Sequence, residues 1–167
     1  TDGGEREKLV TCADLGVALG DGSATDNIVA WTSVGTATAN TFENLSLTNA
    51  TTYYFNVRAT DLAGNVSLIV TSDGVIVDTD APVAGNIIDG TETDIDWDND
   101  TTSLSGVWTG FSDSLSGLEK YEYGIGTSSG GIEIVDWTNN STDTSVTKTD
   151  LTLSNGSTYY VSSRATD

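Results

Sequence analysis

The sequence has no histidine, no methionine, one cysteine, one proline and only six lysine and arginine residues in 167. Without histidine there is no Ser-His-Asp relay and no imidazole to hold a metal. One cysteine cannot close an internal disulfide, so stability must come from cores, ions or neighbouring modules. Six basic residues against 25 acidic ones give a net charge of −19, which repels nucleic acid and anionic membranes. No apolar run of about 18 residues and no secretory h-region is present. The first residue is not Met, and the chain reads as a piece of something longer. What is there is enough to fold: 37% of residues are apolar, and the aromatics comprise 4 Trp, 6 Tyr and 3 Phe. A disordered acidic tail carries far less.

The strongest pattern is internal. TTYYFNVRATD at 51–61 returns as STYYVSSRATD at 157–167. Shifting the chain by 106 residues aligns Trp31 to Asp61 with Trp137 to Asp167 without a gap, and 15 of the 31 positions are identical. Composition alone gives roughly 3 identities over such a window, so this is a true repeat. Gly20, Ile28 and Val29 extend the match to Gly126, Ile134 and Val135. It fades before about residue 15, and residues 1–14 diverge from their counterparts.

Within the repeat, Tyr53, Phe55, Val57 and Ala59 alternate with Asn56, Arg58 and Thr60, the period of a half-buried strand. Tyr159, Val161 and Ala165 repeat the pattern, with Ser163 as its weak position. Further stretches of the same kind lie at 67–71, 74–79, 103–111, 121–126 and 132–137, separated by Gly, Asn, Asp and Ser. Almost nothing follows a 3.6-residue apolar period. Many short strands with frequent turn signals predict an all-β chain of tandem antiparallel sandwiches with a 106-residue repeat.

These residues resemble the fibronectin type III-like and related bacterial immunoglobulin-like surface repeats. In that family a B-strand Trp is followed by a C-strand Tyr, then by a Leu six residues before the Tyr that opens strand F. Trp108, Tyr121, Leu153 and Tyr159 fill those places in the second copy, and Leu47 and Tyr53 in the first. The resemblance implies a tyrosine corner, with the ring in the core and the hydroxyl bonded to backbone between strands E and F. It also implies that DLAGNVSLIVTSDGVIVDTDAP holds the F–G turn, strand G and a linker.

Pro82 follows an acidic turn, which places the boundary near Thr79 to Ala81. The expected organisation is a first sandwich at 1–79 lacking its N-terminal strands and a second at 80–167 lacking its last strand. Either a longer array continues beyond this piece, or neighbouring repeats or subunits complete the sheets by strand addition.

Chemistry is sparse. Paired carboxylates serve glycoside hydrolysis only across a shaped cleft, and small sandwiches seldom form one, so no catalytic role is expected. Asp94, Asp96, Asp98 and Asp100 alternate with Ile95, Trp97 and Asn99, which on a strand would gather four carboxylates on one face. Ca²⁺ would relieve their repulsion; a solvated, aggregation-resistant edge strand is the plainer reading. Asp78 and Asp80 form a second acidic cluster near Asp61, similar to Ca²⁺-binding linkers of cadherin-like rods, although Asp61 and Asn65 also suit a turn. Acceptor sequons for N-glycans start at Asn44, Asn49, Asn65, Asn99, Asn139, Asn140 and Asn155, and turn chemistry explains Asn155-Gly156 equally. Trp31 and Trp137 occupy one repeat position, suited to stacking on sugars but more often given to the edge of a core.

The expected role is structural or adhesive, in an extracellular bacterial surface protein or fibre that needs no cofactor. The alternatives are an accessory polysaccharide-binding module of a secreted enzyme and a Ca²⁺-stiffened adhesin rod, with surface glycans as further partners.

Overall fold

The computed structural model describes residues 12–167. All eleven elements among them are β-strands, and every pairing is antiparallel. The chain divides into two compact units that meet at Thr79 and Asp80.

The second unit is a sandwich. One sheet runs in the order β10 (Ser145–Lys148), β7 (Leu104–Thr109), β6 (Asn86–Asp89); the other runs β11 (Tyr160–Thr166), β8 (Lys120–Gly126), β9 (Val135–Asn139). Alternation along each strand turns one row of side chains inward. Ile125, Leu151 and Val161 form the buried cluster, and Ile87, Leu104, Val135, Val146 and Leu153 close around it. Trp108 is fully buried, and its ring meets Tyr121 edge-on at 5.9 Å. Its indole Nε1 has no hydrogen-bond partner, so the ring contributes through apolar burial while an unpaired donor offsets part of the gain.

The first unit shows a single five-stranded sheet among its described residues. β1 (Cys12–Gly20) lies between β2 (Val29–Ser33) and β3 (Thr52–Asp61), whose far edge carries β4 (Val70–Thr71) and β5 (Val75–Ile76). The β1–β2 register slips between Val17 and Leu19. The β8–β9 register slips between Tyr123 and Ile125, the same place 106 positions on. The same bulge-like slip in register thus recurs in both units.

Several expected strands are shorter than the alternation suggests. The stretch at 67–71 pairs only at Val70–Thr71, and that at 74–79 only at Val75–Ile76. Residues 39–42, the counterparts of β10, form no strand. In the second unit β10 exists by pairing with β7, and no equivalent of β7 stands among the described residues of the first. The buried member of the first YYFNVR segment also includes a polar residue: Asn56 is 1% exposed. Its Nδ2 donates to the Thr25 carbonyl at 2.7 Å, and its Oδ1 accepts from the Thr71 hydroxyl at 2.7 Å. Both ends of the amide are satisfied, which makes its burial tolerable.

Candidate functional site

The tyrosine corner forms in both units. The Thr48 amide donates to Tyr53 Oη at 2.8 Å, and the Ser154 amide donates to Tyr159 Oη at 2.9 Å, each from five residues upstream. That donated N–H stabilises the phenolate and holds Tyr159 below the usual tyrosine range. Tyr53 is buried and Tyr159 half-buried. Leu153 packs against the core, whereas Leu47 is 36% exposed.

Trp31 and Trp137 are less buried than Trp108. Both are half-buried, with Arg58 lying 4.2 Å from the Trp31 ring and Arg164 lying 4.3 Å from that of Trp137. A guanidinium over an indole is a favourable electrostatic contact. A β-carbon on Gly16 would meet Trp31 Cε3 at 3.5 Å, and one on Gly124 would meet Trp137 Cε3 at the same distance. Each ring therefore lies against a glycine backbone, with an arginine stacked on it. The fully buried Trp is Trp108, while Trp31 and Trp137 lie half-buried on their sheets beneath the arginines. Glu122 further anchors Arg164 at 2.8 Å, while Gly16 stands at the corresponding position of the first unit.

The acidic run is also corrected. Residues 94–100 lie in the β6–β7 connection and form no strand, so no pleat gathers their carboxylates on one face. Asp groups in a connection find local donors instead. Asp94 accepts from the Asp89 amide at 3.3 Å and Asp98 from the Asp100 amide at 2.9 Å. Asp100 accepts from the hydroxyl and amide of Thr102 and from the Ser103 hydroxyl, each at 2.7 Å. These donors, Thr102 foremost, hold the Asp100 carboxyl below its ordinary value. Asp96 and Trp97 are exposed. Burial, reinforced by the charge of Asp94, pushes Asp89 upward.

Asp61 behaves as a turn residue. It accepts from the Ala63 and Asn65 amides at 2.8 and 2.9 Å and from Asn65 Nδ2 at 2.9 Å. Asp78 is half-buried and Asp80 exposed. Among the sequon residues, Asn44, Asn65, Asn99, Asn139 and Asn155 are exposed, and Asn49 and Asn140 are half-buried. Asn140 Nδ2 donates to the Asp143 and Ser145 carbonyls, and Asn49 Oδ1 accepts from the Thr79 amide. Asn140 thus closes its own turn, and Asn49 ties its turn to a residue 30 positions on.

Two open hollows complete the surface. In the first unit about 380 Å³ lies over Leu15, Val17, Phe55 and Val57, flanked by Ala37 to Asn40. In the second about 390 Å³ runs along β11, lined by Ile87, Asp89, Ser129, Trp137, Tyr160 and Val161 among others. Neither encloses a carboxylate pair in an apolar cleft. The second was missed from sequence, because it depends on the side of β11 that faces away from β8.

No family model matches the chain. It is 37% identical to Exoglucanase B of Cellulomonas fimi over 98 residues, which is 54% of this chain and 8% of that protein. The chain thus spans a small fraction of the curated relative it matches. Among solved structures it is similar to the three fibronectin domains FN1–FN3 of chicken contactin CNTN1, at 15% identity and a TM-score of 0.42, covering 92% of this chain and 50% of that one. The chain is all-β and antiparallel, and it resembles tandem fibronectin type III-like repeats.

Proposed function

We propose that the chain is a run of non-catalytic β-sandwich repeats that space and link other parts of an extracellular bacterial surface or secreted protein. The observation that carries this reading is duplication of scaffold. The corner hydrogen bond, the arginine-capped Trp and the strand bulge each recur 106 positions apart. Repeats of this kind act by holding a distance and bearing load through short connections.

A second reading has its own support. Trp137 and Tyr160 line the β11 hollow beside Asp89 and Ser129, and aromatic faces with nearby hydroxyl and carboxylate groups suit sugar rings. The likeness to Exoglucanase B favours an accessory polysaccharide-binding module. Retention on insoluble cellulose, chitin and xylan separates the two. A spacer passes through all three; retention that Trp137→Ala and Tyr160→Ala abolish would establish the binding module instead.

A further inference from the structure

Three of the four Trp side chains are covered by their own unit. Trp108 is fully buried, and Trp31 and Trp137 lie under Arg58 and Arg164 at 4.2 and 4.3 Å. Trp97 is 91% exposed, the most exposed large apolar side chain among the described residues. The connection that carries it joins β6 to β7, which pair with each other, so both of its ends are held inside the second unit.

Residues 91–102 are all exposed and form no strand, yet the connection is pinned on both sides of the indole. Before it, Asp94 accepts from the Asp89 amide at 3.3 Å, and Ile95 lies against Gly90, where a β-carbon would meet its Cγ1 at 3.5 Å. After it, Asp98 and Asp100 accept from the Asp100 and Thr102 amides at 2.9 and 2.7 Å. The Thr101 and Thr102 carbonyls accept from the Leu153 and Leu151 amides, each at 2.9 Å. An indole held out on a fixed loop loses little freedom when a partner arrives. The run also carries Glu92, Asp94, Asp96, Asp98 and Asp100, with no lysine or arginine between Arg58 and Lys120. Among the described residues the one ion pair joins Arg164 to Glu122, so none of these five carboxylates is in one.

We propose that Trp97, flanked in sequence by Asp96 and Asp98, receives an arginine from a separate, basic protein. The second unit displays this arrangement within itself: the Arg164 guanidinium lies on Trp137 while its Nε donates to Glu122 at 2.8 Å. At Trp97 the indole and the carboxylates are present and the guanidinium comes from outside. A planar guanidinium stacks on a ring and bonds a carboxylate in its own plane, which a lysine ammonium does not do. A second copy of this chain is a poor donor. Among the described residues its arginines, Arg58 and Arg164, are already stacked, and chains of charge −19 repel one another. A neutral sugar would use the ring without relieving the repulsion among the carboxylates. The same net charge steers a basic partner in, so the association weakens as salt is added.

The test measures binding of the whole chain to a fluorescein-labelled peptide of arginines spaced by glycines, and to its lysine counterpart. The arginine peptide should bind about fivefold more tightly, and both should weaken roughly tenfold between about 50 and about 500 mM salt. Trp97→Ala should abolish the preference for arginine at an unchanged melting temperature, since the ring belongs to no core; Trp97→Phe, which keeps a weaker ring, should fall between the two. Asp96→Asn with Asp98→Asn should weaken the arginine peptide about fivefold or more. Asp26→Asn with Asp73→Asn, which neutralises two exposed carboxylates of the first unit, should change it less than about twofold. Equal affinity for the two peptides, an arginine preference that survives Trp97→Ala, or equal losses from the two asparagine pairs would overturn the proposal, leaving only a general attraction to an acidic chain. None of these outcomes bears on retention by polysaccharides, so the spacer reading stands or falls separately.

Discussion

The two units carry the same local devices on different foundations. Each sheet has a tyrosine hydroxyl closing the loop before it, an arginine lying on a Trp and a bulge in the same pair of strands. Only the second unit sets a facing sheet against them among the described residues. There Val161 is 6% exposed, whereas its equivalent Phe55 is 38% exposed. Phe55 is covered in part by Phe42, stacked at 5.4 Å. The contrast separates two kinds of cause. Corner, bulge and stacked ring are fixed by side chains near in sequence or on adjacent strands, and they recur in both units. Among the described residues, strand β10 and a fully buried Trp are found only in the unit that shows a facing sheet.

Truncating the core should break the second unit alone. Trp108→Ala should cost it about 3–5 kcal/mol, read by denaturant unfolding, with the first unit's transition unmoved. Trp108→Phe should cost less, since it also removes the unpaired indole donor. Next in size is the buried amide of the first unit. Asn56→Ala strands the Thr25 carbonyl and should cost about 1–3 kcal/mol, while Ser162→Ala at the equivalent position of the second unit should be near neutral.

The corner should affect both units alike. Tyr53→Phe and Tyr159→Phe each lose one hydrogen bond of about 1 kcal/mol, and calorimetry on the pair should show matching losses. Acid titration follows from the carboxyls. Asp61, held down by Asn65, and Asp100, held down by Thr102, have folded values below the ordinary 3.8. Their contributions are present above 3.8 and are lost as pH falls through the folded values. Asp89, raised by burial, has the opposite sign: its proton uptake favours the fold as pH drops towards 3.8. Melting temperature against pH should therefore fall less steeply at acid pH for Asp61→Asn, and should rise at neutral pH for Asp89→Asn. The smallest effect expected is none: excess chelator should leave the melting temperature unchanged, because Asp98 and Asp100 already serve turn donors.

The sequence made the scaffold legible because its determinants are local. Period-2 alternation located β3, β8 and β11, and the Leu-to-Tyr spacing located the corner. The 94–100 run misled because Asp at alternate positions imitates a pleated face, while Asp98 and Asp100 accept from amides and hydroxyls two or three residues on. The arginine on each Trp was missed, although Arg58 and Arg164 recur at the same offset as Trp31 and Trp137. That shared offset is the signal that could have revealed the stack. Burial of Asn56 could not be read, since its partners come from a turn and an edge strand far along the chain.

Native-state hydrogen exchange at two equivalent amides tests the difference between the units most directly. Ile125 sits between Val161 and Val135, and Leu19 between Phe55 and Val29. A facing sheet that closes the core, among the described residues, in the second unit alone predicts that the Ile125 amide exchanges more slowly than that of Leu19. Equal rates, or slower exchange at Leu19, would contradict it.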